Sequence, residues 1–108
     1  MPVFDVTRVV TYTDSTMRRS DQRYRNIKAL VDWLTENVGD YYGRGEDHTR
    51  DEAFPGHEYE GYSVLHIGSG WQIDRDWRGD PNGYMEVWWK VDITDEAKAT
   101  LFALKWIK

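Results

Sequence analysis

The sequence predicts an α+β fold: a two-layer sandwich with a mostly antiparallel four-stranded sheet and two helices on one face, in the order β-α-β-β-β-α. Three observations predict it. Stretches near the C-terminus alternate apolar and polar residues with the two-residue period of a strand, two other stretches repeat with the period of a helix, and turn residues mark the boundaries. The length, 108 residues, fits one domain spanning 1–108, with no linker, repeat or low-complexity tail.

Val3 to Thr13 reads as the first strand, with Phe4, Val6, Val10 and Tyr12 on one face among β-branched neighbours. Asp14-Ser15-Thr16 supplies a turn and a helix N-cap. The helix that follows repeats Met17, Tyr24, Val31 and Val38 every seven residues; Ile27, Leu30 and Leu34 fill the same stripe, and Gly39 ends it. Residues 39–56 are glycine and charge without a period, a loop whose length marks it as functional or disordered.

Three strands come next. His57–Ile67 is the first, and Gly68-Ser69-Gly70 turns tightly into Trp71–Arg78. There Trp71, Ile73 and Trp77 point inward, with Gln72, Asp74, Asp76 and Arg78 opposite. Gly79–Gly83 forms a five-residue turn, and Tyr84–Ile93 is the last strand, with Met85, Val87, Trp89, Val91 and Ile93 inward. Thr94 caps a closing helix, Asp95–Ile107, whose buried stripe is Ala97, Leu101, Leu104 and Ile107.

Composition narrows the function classes. There is no cysteine, which excludes a disulfide scaffold, cysteine-held metal and a thiol nucleophile, and leans towards a cytoplasmic location. No apolar run is long enough to span a bilayer, and the first residues do not read as a signal peptide, so no membrane partner is expected. The net charge of -5 makes nucleic acid an unlikely partner for the whole surface. Charge is uneven, however: Arg18, Arg19, Arg23, Arg25 and Lys28 stand against Asp21 alone, whereas residues 32–60 hold nine acids against Arg44 and Arg50. Six Trp, seven Tyr and three Phe exceed what a core of this size needs, and such residues dominate binding hot spots.

Catalytic patterns do not assemble. His48, His57 and His66 are evenly spaced beside Asp47, Asp51, Glu52 and Glu58, but His57 and His66 lie an odd step apart on one strand and face opposite ways. Ser63 and His66 likewise fall on opposite faces. The glycines at 39, 43 and 45 follow a helix, the wrong context for a phosphate loop. No catalytic residue, cofactor or metal is assigned. A small hydrolase using a histidine with Asp74 or Asp76 stays as a third alternative. Helix, three strands and helix is also the element order of double-stranded-RNA-binding domains, and Glu96-Ala97-Lys98 resembles the start of their last helix. Asp95 and Glu96 stand where phosphate-gripping lysines belong, which argues against RNA.

Two binding surfaces remain. An open sheet face with Tyr84, Trp88, Tyr62, Asp74, Asp76, Glu86 and His66 suits a protein partner, plausibly basic. Pairing across 79–83 sets Arg78 by Tyr84, Asp76 by Glu86, Asp74 by Trp88 and Gln72 by Lys90, so that two acids repel where Trp88 is exposed. The first expectation is therefore a non-enzymatic binding or inhibitor-type protein, for instance a phage-encoded factor acting on a host system; a homo-oligomer is compatible with it. The alternative is a small-molecule or nucleotide-binding protein, in which Arg18, Arg19, Arg23 or Arg25 meets an anionic ligand while Tyr41 or Tyr42 stacks on it.

Overall fold

Three long strands carry the fold in the computed structural model, which describes residues 2–13, 17–45, 47–49, 59–79 and 85–107. They are β4 (Tyr59–Gly68), β5 (Trp71–Gly79) and β6 (Met85–Ile93), each paired antiparallel with the next. Ser69 and Gly70 alone connect β4 to β5. Gly70 has φ 78°, in the left-handed region that favours glycine. The Trp71 indole lies so close over Gly68 that a Cβ there would collide with it, and its Nε1–H donates to the Gly39 carbonyl at 2.7 Å.

Short strands complete the antiparallel sheet. β1 (Val3–Asp5) pairs with the outer edge of β6, while β2 (Tyr41–Gly43) and β3 (Asp47–Thr49) share the outer edge of β4. The sheet thus has six strands, not the four expected. Two come from residues 39–49, read from sequence as loop, because the edge of β4 offers unpaired backbone groups to any chain laid beside it. Ser69 N–H donates to Asp40 and Gly45 N–H to the Val64 carbonyl, fastening that segment. Residues 50–56 of the expected loop lie outside the described residues.

There are three helices among the described residues: α1 (Thr7–Thr11), α2 (Arg19–Asn37) and α3 (Glu96–Trp106). The first corrects the expected strand to Thr13, which stops at Asp5. The Asp5 carboxylate accepts the Thr7 backbone N–H at 2.9 Å, and hydrogen bonding by the Thr7 side chain first, then by that N–H, holds its pKa below the ordinary value. Val6 and Val10, both buried, are four apart, a spacing that fits a helix stripe as well as one strand face.

In α2 the stripe is buried only in its second half, at Leu30, Leu34 and Val38; Tyr24, placed on the same stripe by sequence, is 70% exposed. The expected cap at Asp14-Ser15-Thr16 lies outside the described residues. In α3 the cap is Asp95, whose carboxylate accepts the Lys98 N–H at 3.0 Å, rather than Thr94. Its buried stripe is also corrected. Ala99 and Phe102 face the core with Trp106 packed beside them, and Ala97, Leu101, Leu104 and Ile107 face outward. Both stripes have helical spacing. Phe102 decides between them by entering an aromatic cluster, its ring centroid 5.1 Å from Phe4, 5.7 Å from Trp33 and 6.3 Å from Trp106.

Leu30 and Leu34, Ala99 and Phe102 pack with Trp71, Ile73, Trp89, Val91 and Ile93 in one core. The inward positions of β5 and β6 read from sequence are thus largely those that are buried. No helix among the described residues is long and apolar enough to cross a membrane.

Phe102→Ala is expected to cost about 3–5 kcal/mol in urea unfolding, as an aromatic removed from a packed core does. Leu104→Ala is expected to stay within about 0.5 kcal/mol. The reverse ranking would restore the original stripe.

Candidate functional site

The alternation that buries Trp71 and Ile73 puts Arg75 at the next inward position of β5, ahead of Trp77. Arg75 lies between Ser63 on β4 and Trp89 on β6. Its Nη2 reaches the Ser63 hydroxyl only at 3.4 Å, and its Nε is buried with no hydrogen-bond partner. Among the residues whose side chains are described, no carboxylate forms an ion pair with it. A guanidinium taken from water without a counter-charge costs folding energy, so this one calls for an anion.

Above Arg75 lies a cleft of about 600 Å³ between the first half of α2 and the sheet. The helix contributes Arg23, Tyr24, Ile27, Lys28, Val31 and Asp32; the sheet contributes Leu65, His66, Arg75 and Trp89, and Tyr41 with Arg44 closes the far side. Asp32 is the only carboxylate among the described residues that line the cleft, and it pairs with Lys28 one helical turn away, at 2.7 Å. The cations Arg23, Arg44 and Arg75 therefore have no acid among the cleft's lining residues. Arg23 sits over the Trp89 ring, 5.6 Å from its centroid. A second cavity of about 320 Å³ is lined by Arg44, Gly45, Val64, Leu65 and Arg75, so the two cavities meet at a pair of guanidiniums.

His66 enters this cleft through an irregularity. The β4–β5 register shifts between Val64 and His66, so His66 pairs with Ile73 on the helix-covered side. It was expected on the open face, and Ser63 was expected opposite to it; the bulge puts both on the inner side. The Tyr41 hydroxyl and His66 Nδ1 are 2.8 Å apart. Burial, with a smaller contribution from the Arg44 charge, holds the His66 pKa below its ordinary value.

The open face has a different register from the one expected. Asp76 lies opposite Trp88, Arg78 opposite Glu86, Asp74 opposite Lys90 and Gln72 opposite Asp92. Opposite charges therefore face each other, and the expected repulsion between Asp76 and Glu86 is absent. The slip comes from the turn: Gly79 pairs with Met85, so the five-residue connection runs over 80–84 rather than the 79–83 read from sequence. Lys90 Nζ is 2.6 Å from Asp76, and the Gln72 amide donates to both Asp74 oxygens. Burial raises the Asp74 pKa. Tyr62, Asp76 and Trp88 form one row across three strands. Tyr84 lies outside the described residues.

Of the expected ligand residues, the cleft brings together Arg23 and Tyr41. Arg18, Arg19, Arg25 and Tyr42 are exposed and do not line it. Sequence reasoning missed Arg75, Arg44 and Trp89 as site residues. Arg75 had a signal: a charge in an inward slot of a clean alternation. Neither Arg44, in a segment without a period, nor the bulge at Leu65 had one. His57 lies outside the described residues, and no group of three or more metal-ligating side chains occurs among those described. Comparison with family models, with curated proteins and with solved structures found no match to this chain.

Arg75→Met is expected to stabilise the ligand-free protein by about 1 kcal/mol in urea unfolding, by removing a half-buried cation whose Nε has no hydrogen-bond partner. A loss of stability would mark Arg75 as structural. A pH series checks His66. With the folded pKa below the ordinary 6.5, its contribution is full above that pH and is lost as the pH falls below it. The stability advantage of wild type over His66→Gln should therefore shrink on acidification from pH 7.5 to 5.5; a gap that grows would reverse the sign.

Proposed function

We propose that the chain is a non-enzymatic binding protein that takes up a small amphipathic anion in the cleft between α2 and the sheet. The observation that carries this reading is the Arg75 guanidinium, its Nε buried and unpartnered at the cleft floor. Evolutionarily neutral packing would replace such a group with an apolar side chain; a site for an anion gives the charge a partner only when ligand is present. The lining supports the amphipathic character, with Ile27, Val31 and Leu65 offering apolar surface beside the cations. The His66–Tyr41 pair lies beside these cations, and the one acid among the described lining residues, Asp32, is paired with Lys28 rather than with His66, which favours binding over catalysis.

A second reading keeps the protein partner. The row Tyr62–Asp76–Trp88, continued by Asp74 and Glu86, gives the open face an aromatic and acidic strip suited to a basic partner. An inhibitor or adaptor role, including one encoded by a phage, belongs to this reading.

Thermal denaturation against a panel of small anions discriminates the two. A ligand of the cleft present at about 100 times its Kd stabilises wild type by about 2.7 kcal/mol, and Arg75→Met and Arg23→Met should each lose most of that shift. A panel that shifts neither wild type nor variants would remove the first reading. Loss of partner capture by Trp88→Ala, with the anion response intact, would favour the second.

A further inference from the structure

The cleft's charge and shape narrow its ligand further. We infer, resting on the cleft reading above, that it binds a phosphate monoester carrying an aromatic ring, in chemical class a nucleoside monophosphate.

The charge balance selects the head group. Among the described lining residues Arg23, Arg44, Arg75 and Lys28 face Asp32 alone, a local excess that one carboxylate leaves mostly uncompensated. A phosphate monoester carries about -1.5 to -2 at neutral pH and offers three strong acceptor oxygens. Guanidiniums engage such a group through paired N–H donors. Arg44, Leu65 and Arg75 border both cavities, so the phosphate belongs at their junction, beside the two arginines. His66 lines the same cleft, and where its Nδ1 accepts from the Tyr41 hydroxyl its Nε2–H is the donor left for a ligand.

The remaining lining selects the body. Tyr24 from α2 and Tyr41 from β2 border the cleft from opposite sides, and both are exposed enough to offer a ring face. Tyr41 is itself held by stacking on Trp71, with ring planes 20° apart. Ile27, Val31 and Leu65 complete an apolar wall without acceptors for a polyhydroxylated body, which disfavours a bare sugar phosphate. A planar base suits an aromatic rim because every base has a π-face, and stacking is worth about 1–3 kcal/mol per base.

Isothermal titration in low salt tests this with four nucleoside monophosphates, adenosine, inorganic phosphate and benzoate as probes. Wild type is expected to bind at least one nucleoside monophosphate tenfold or more tightly than its separate parts, adenosine and phosphate. Arg75→Met and Arg44→Met should each weaken that binding at least tenfold; Arg44 is exposed, so its variant keeps the test valid if Arg75→Met disturbs folding. Tyr24→Ala should weaken the nucleotide while leaving inorganic phosphate unchanged. Benzoate binding as tightly as any nucleotide, with the same arginine dependence, would overturn the phosphate class and leave the anion cleft standing. No binding by any anion would overturn both.

Discussion

The constraint on which the rest of this structure depends is a charge in an inward strand position. β5 cannot turn Trp71, Ile73 and Trp77 inward without presenting Arg75 on the same side, because successive side chains alternate. A helix packed directly on that guanidinium would seal it away from water and anions alike, at a cost of several kcal/mol. α2 accordingly packs through Leu30, Leu34 and Val38, and stands off from the sheet where Arg23, Tyr24 and Ile27 face Arg75. The cleft follows from that divergence, and so does the failure of Tyr24 to join the buried stripe.

The molecule's charges are sorted around this feature. The chain is acidic overall, at -5, yet the cleft is cationic. Net charge opposes approach of an anion from afar, but screening limits that field to about 8 Å at physiological ionic strength, and the cleft's own arginines dominate within it. On the other side of the sheet the charges are largely satisfied locally: Lys90 meets Asp76, Gln72 meets Asp74, and Arg78 lies opposite Glu86. Satisfied pairs require no ligand. Asp92 Oδ1 on that side and Arg75 Nε on the other are each buried without a partner, but only Arg75 lines a cleft rich in further cations, and on that difference the small-anion proposal ranks ahead of the protein-partner one.

Legibility from sequence divided along physical lines. The inward faces of β5 and β6, the tight turn at Ser69–Gly70 and the helical character of α2 were all readable, since each has a clear period or a turn residue with a geometric need. What was not readable turned on ties and local irregularities. Val6 and Val10 satisfy strand and helix spacing equally, and the Asp5 carboxylate at the Thr7 N–H settles the matter for α1. Two stripes compete on α3, and only the tertiary neighbours Phe4 and Trp33 show why Phe102 wins. A single bulge at Leu65 moves His66 from the open face into the cleft, which no period in the sequence announces. Arg75 was the exception: its inward position was legible, but a single arginine among apolar neighbours lacks the clustering that marks Arg18, Arg19, Arg23 and Arg25 as a basic patch.

The most direct measurement of the central claim is the Arg75 side-chain Nε–H resonance, followed by nuclear magnetic resonance with and without adenosine monophosphate. A buried, unpartnered Nε–H should be protected from exchange in the free protein, and should shift markedly downfield when the phosphate supplies its acceptor. An Arg75 signal that exchanges as freely as those of Arg18 and Arg25, and does not move at saturating ligand, would contradict the account.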